Sequence, residues 1–141
     1  MCIRDSNNTF YISFARHSSK RIPLYWRPFA WLSAFKDKRF GHAQIFWETP
    51  NGDVAAIGAL PWAIRIASFD RSLEDYLNDL KTAGATACIK YTSDFSKVKP
   101  IPCGFFTCVS VIKSILGIKS FFVITPKQLF RTLNQKGKFL W

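Results

Sequence analysis

Residues 40–59 restrict the fold more than any other stretch. Phe40-Gly41-His42-Ala43-Gln44-Ile45-Phe46-Trp47-Glu48 and Val54 to Ala59 are two strand-like apolar runs, separated by Thr49-Pro50-Asn51-Gly52-Asp53. An Asn-Gly pair in such a spacer favours a tight turn, so the sequence predicts a β-hairpin with His42 at the start of its first strand. Leu60-Pro61 then kinks the chain, and Trp62 to Ala67 alternates as a third strand. Three antiparallel strands in succession are the economical reading.

Around this hairpin the remaining elements fall into place by periodicity and caps. Thr9 to Ala15 sets Phe10, Ile12 and Phe14 on one face and Tyr11 and Ser13 on the other, a strand that edges or joins the sheet. Ile22 to Trp26, broken by Pro23, is at best a short extended piece, and Phe29 to Phe35 suits a helical turn or a packed loop equally. Ser72 caps a helix whose apolar face is Leu73, Tyr76, Leu77 and Leu80, with Asp75 placed for a weak capping box and Gly84 as the stop. Thr86 to Tyr91 reads as a further strand, and Thr92 to Pro102 as a polar loop. Val109, Ile112, Ile115 and Leu116 then recur at helical spacing before Gly117. Phe121 to Ile124 suits a short strand or an extended link. Thr125-Pro126-Lys127-Gln128 is a helix start, with Thr125 as N-cap, Pro126 in the first turn and Gln128 reciprocating, and that helix runs through Leu133 toward Gly137.

The expected fold class is therefore α+β, an antiparallel sheet packed by helices in a single domain over residues 7–141. Met1-Cys2-Ile3-Arg4-Asp5-Ser6 reads as the translation of a sequencing-library adapter and is set apart as a non-native tail of residues 1–6. An apolar fraction of 48% with 14 Phe and 5 Trp supports a packed core. No apolar run is long enough for a transmembrane segment and no leader pattern is visible, which places the chain in the cytoplasm. Outside the tail, Cys88, Cys103 and Cys108 are an odd number, the pattern of reduced thiols. Cys103 and Cys108 lack a second close Cys or His pair, so no zinc or other cofactor is called for. The net charge of +11 could serve nucleic acid or an acidic partner, but the basic residues are scattered and carry no recognition signature. Binding to nucleic acid as a non-catalytic basic module is the alternative function.

Chemistry concentrates on Cys108. It falls at or beside the first turn of a helix, where unpaired amides and the positive end of the helix dipole favour thiolate. Most free cysteines are instead small core residues, so the case for a nucleophile needs a base. Of the two histidines, His17 lies in the polar run Ala15-Arg16-His17-Ser18-Ser19-Lys20 and reads as a surface residue. His42, after Gly41 at the edge of an otherwise core-like strand, fits a base or the cap of an interior hydrogen-bond network. Cys103, between Pro102 and Gly104, is a rival thiol without a helix behind it.

The order of these parts, His42 at a strand start, a hairpin, and then Cys108 opening a helix, resembles the circularly permuted branch of the papain-like NlpC-type hydrolases. That branch includes lecithin retinol acyltransferase-like proteins. The segments Phe40-Gly41-His42 and Phe106-Thr107-Cys108-Val109-Ser110, together with Thr125-Pro126-Lys127-Gln128-Leu129-Phe130, are similar to small proteins of this kind in bacteriophage and environmental sequences. The resemblance covers roughly residues 38 to 134 and implies a permuted papain-like fold and a cysteine peptidase- or amidase-type activity. It makes Cys108 the nucleophile, His42 the general base and the Cys108 amide a contributor to an oxyanion hole. The implied reaction is hydrolysis or acyl transfer on an amide or ester through a thioester, with a peptide, lipid or cell-wall substrate. A residue orienting His42 is not evident. Glu48 lies six residues along the same strand, roughly 20 Å away by strand rise. Gln44 shares the His42 face and is closer, and Asp53, Asp70 and Asp94 depend on the fold.

Overall fold

A computed structural model describes residues 8–16, 39–60, 63–93 and 107–141 of the chain. His17, Asp94, Cys103, the adapter-like tail and the segments Ile22 to Trp26 and Phe29 to Phe35 lie outside these. The described elements are β1 (Asn8–Ala15), β2 (His42–Glu48), β3 (Val54–Leu60), β4 (Ala63–Phe69), α1 (Leu73–Thr82), β5 (Ala85–Ser93), α2 (Cys108–Leu116), α3 (Pro126–Asn134) and β6 (Lys138–Phe139). They form an α+β fold in which the six strands make one antiparallel sheet of order β4-β3-β2-β1-β5-β6.

The hairpin forms where the sequence places it. Gly52 N–H donates to Thr49 O at 3.0 Å and Thr49 N–H to Asp53 O at 2.8 Å, with Gly52 at φ 86°. No described non-glycine residue has a positive φ, so Asn51 is not in the left-handed region and a two-residue type I′ turn is excluded. Pro50 fixes its own φ near that of a type I turn, and Gly52 alone supplies the left-handed residue that returns the chain to β3.

β1 holds the centre of the sheet. It pairs with β2 through Ile12↔Ile45 and with β5 through Ile12↔Ile89. Its alternating side chains are therefore buried on both faces. Phe10, Ile12 and Phe14 pack with Ala43, Ile45, Ala87 and Ile89 against Val109, Ile112 and Leu116 of α2 and Leu129 and Leu133 of α3. Tyr11 packs with Phe46, Val54, Ala56 and Cys88 on the other face, under Tyr76 of α1. The molecule is thus a sheet between two unlike helical layers, and a strand such as β1 fits only the middle of it.

The third predicted strand forms as β4 and runs two residues further than expected, to Phe69. Its pattern does not mark burial. Ile57↔Ile66 pairing puts Ile66 on the α2 face, beyond the reach of that helix, and it is 70% exposed. One element lies outside the sequence-based expectations. Lys138–Phe139 adds a short edge strand to β5, continued by Leu140 N–H to Cys88 O and Cys88 N–H to Trp141 O. Gly137 makes this possible, since a Cβ there would stand 2.6 Å from Ile89 Cγ2 and 2.9 Å from Lys90 O. Phe121–Ile124 takes neither of the two expected forms: Phe121 and Phe122 make a turn, with no strand pairing among the described residues.

Candidate functional site

Thr107 and Ser110 build the start of α2. Ser110 N–H donates to Thr107 Oγ1 at 3.0 Å and Thr107 N–H donates to Ser110 Oγ at 2.9 Å, a reciprocal capping box that uses serine in place of the more usual glutamate. Cys108 is the first helical residue. Its sulfur is surrounded by main-chain donors, the amides of Ala43, Val109 and Cys108 itself. Those amides favour the thiolate, but burial is the larger effect and holds the thiol above its ordinary range. Cys88 makes the contrast plain. It is fully buried on the opposite face with no such donors acting on it, and burial pushes its thiol up to about 12.

Ala43 brings β2 to this thiol. Phe40 anchors the lead-in, its ring tilted at 36° to that of Phe130 of α3 and edge-on to Phe14, and Gly41 N–H donates to Ala15 O at 3.0 Å. Ala43 is buried in the α2 face and its small side chain lets α2 approach the strand. His42, one peptide earlier and about 3.8 Å away at Cα, is exposed and opens β2 opposite Ala15. The structure therefore brings Cys108 to the strand residue next to His42.

Gln44 keeps to the His42 face, where it has a partner of its own. Gln44 hydrogen-bonds the Tyr76 hydroxyl of α1, a bond that opposes the rise that burial imposes on that phenol. Alternation along β2 sets His42, Gln44 and Phe46 on the α1 face and Ala43 and Ile45 on the α2 face. His42 is thus set on the face opposite the one that α2 and Cys108 cover, and the Gln44 amide is engaged with Tyr76. Glu48 lies at the far end of β2, Asp53 in the hairpin and Asp70 beyond β4. Missed from sequence were the Ala43 amide, a main-chain group no side-chain pattern reveals, and the Ser110 half of the cap, which the Thr-x-x-Ser spacing carries. No cluster of three His, Cys, Asp or Glu side chains able to hold a metal occurs among the described residues. Nor is any described helix long and apolar enough to cross a membrane.

Compared with known proteins, the chain matches no family model, no curated protein and no solved structure.

Proposed function

We propose that the chain is a cysteine hydrolase or acyltransferase that attacks an amide or ester carbonyl through Cys108. The observation that carries this reading is the convergence of the Ala43, Cys108 and Val109 amides on the sulfur, at the first residue of a capped helix and one residue from His42. Such donors are what a developing oxyanion needs in acyl transfer.

Because burial keeps the thiol protonated at rest, the reaction does not begin from a stored thiolate–imidazolium pair. The His42 imidazole turns around the open end of β2 to take the S–H proton as the sulfur bonds to the carbonyl carbon, and the carbonyl electron pair moves onto oxygen. The oxyanion takes hydrogen bonds from amides that otherwise face the sulfur. Its collapse breaks the bond to the amine or alcohol, which leaves with the proton from His42, and a thioester remains on Cys108. In the second half water, or an acceptor alcohol or amine, gives its proton to His42 as it bonds to the thioester carbon; collapse then breaks the C–S bond, releases the acyl product and returns the proton from His42 to the Cys108 sulfur. Peptide, lipid and cell-wall amides and esters all present such a carbonyl.

The test is acylation by p-nitrophenyl acetate at neutral pH. A stoichiometric burst of nitrophenolate, with the acetyl group on Cys108 by mass spectrometry, is expected, absent in Cys108→Ser and slowed in His42→Ala. Equal, slow labelling of Cys103 and Cys108 in the wild type and in His42→Ala would overturn the proposal.

A further inference from the structure

The link between α2 and α3 carries an apolar tip that the core does not use. Phe121 is 91% exposed, Phe122 86% and Ile124 71%. Such a cluster on one short turn is unlike the isolated apolar residues every surface shows. The tip is also firmly mounted. Val123, between the exposed residues, is buried in the core, and its carbonyl accepts from Lys113 Nζ at 3.0 Å. On the α3 side, Gln128 Oε1 accepts from Ile124 N–H and Thr125 N–H, both at 2.9 Å. Three side chains are thus held outward by a built scaffold.

Charge separates the two helical layers around the sheet. The α1 layer carries Asp70, Glu74, Asp75 and Asp79 against Arg71 and Lys81. On the other layer Lys113, Lys119, Lys127 and Arg131 flank the tip, and the sequence after Asp94 contains no acidic residue at all. Among the described residues, the charged side chains nearest the tip along the chain are all cationic, while the acids of the α1 layer lie across the sheet.

We propose that the Phe121-Phe122-Ile124 tip inserts into the interfacial region of an anionic lipid bilayer, with the α2 and α3 layer turned toward the headgroups. Aromatic side chains partition into the headgroup boundary, and lysines beside them meet anionic lipid. A protein partner fits the tip less well, because a stable protein interface needs a broad complementary patch and these three side chains project from a single turn. The charge layout then orients the docked molecule, holding the acidic α1 layer away from the membrane. The tip follows the C-terminus of α2, about 13 Å along the helix from Cys108 at its other end, so docking leaves the Cys108 end uncovered. This inference does not rest on the function proposed for Cys108.

The experiment is co-flotation of the full chain with vesicles of phosphatidylcholine and phosphatidylglycerol in equal parts, against vesicles of phosphatidylcholine alone. Binding to the anionic vesicles that falls as salt rises is expected, and Phe121→Ser/Phe122→Ser lowers the partition coefficient about tenfold or more. The thermal midpoint of that variant stays at the wild-type value, because neither ring contributes to the core. Phe122→Trp should add a fluorescence component, above the native tryptophans, that brominated lipid quenches. Absence of binding at low salt, or binding unchanged in the double variant, overturns the proposal. So does concentration-dependent self-association abolished by the double variant without vesicle binding, which would assign the tip to a second copy of the chain.

Discussion

The main-chain amide of Ala43 in β2 meets the sulfur of Cys108 at the start of α2, and this contact ties the helix that carries the thiol to the strand that His42 opens. Since burial outweighs the amides, Cys108 is a protonated thiol at neutral pH. Alkylation of Cys108 by iodoacetamide should therefore be slow at pH 7 and climb with pH beyond the range in which a free thiol levels off, as read by peptide mass spectrometry. A plateau already reached near pH 7 would show a resting thiolate instead.

Thr107 and Ser110 fix the amides around the sulfur through their reciprocal bonds. Thr107→Ala is expected to cost about 1 kcal/mol of stability in urea unfolding. The same variant should lower the acylation burst more than Thr125→Ala, which removes the equivalent cap from α3, where no thiol sits. Equal activity in the two variants would separate the cap from the chemistry.

Gln44 faces Tyr76 across the α1 side of the sheet. Gln44→Ala should lower the thermal midpoint by removing a partner of a buried phenol, while leaving the rate of Cys108 acylation within about twofold, a change worth well under 1 kcal/mol. A loss of acylation as large as that of His42→Ala would instead give Gln44 a share in orienting the imidazole.

Cys88 has its thiol pushed up from 9.0 to about 12 by burial. A raised thiol pKa in the folded state means that the unfolded chain releases its proton first. The stability this group contributes is full below the unfolded value of 9.0 and is lost as pH rises toward about 12. Thermal midpoints measured across that window should fall less steeply in Cys88→Ala than in the wild type.

Gly137 leaves no room for a side chain, with Ile89 Cγ2 and two carbonyl oxygens inside the space a Cβ would fill. Gly137→Ala should destabilise the chain by about 1–3 kcal/mol in urea unfolding. Because the clash falls on the β5–β6 edge, amide exchange should speed up first at Leu140, whose N–H bonds Cys88 O.

What the sequence made legible was local. Asn51-Gly52 announced the hairpin, Ser72 and Thr125 announced their helices, and Gly84 and Gly117 marked two helix ends, each at a positive φ in the structure. Nothing in Thr9 to Ala15 could say that β1 lies between β2 and β5, since both partners are remote in sequence. Ile64 and Ile66 carry the same alternation as a core strand, and only the lateral extent of the α2 layer leaves them exposed. Lys138–Phe139 is too short to show a period. At the candidate site, the placement of Cys108 in the first turn was readable from the apolar spacing after it. The Ala43 contact and the engagement of Gln44 with Tyr76 depend on which helix covers which face, a property of the assembled layers.

The central place of β1 also governs how the molecule can assemble. The meander of β2, β3 and β4 needs only short loops, whereas β1 must find β2 across residues 16–41 and β5 across most of the remaining sheet. Until Ile12 has met Ile89, the strand presents an open ladder of amides and carbonyls and a bare row of Phe10, Ile12 and Phe14. The slow step of folding should be this late closure, and the interval before it is when one chain is most exposed to capture by the unfinished sheet of another.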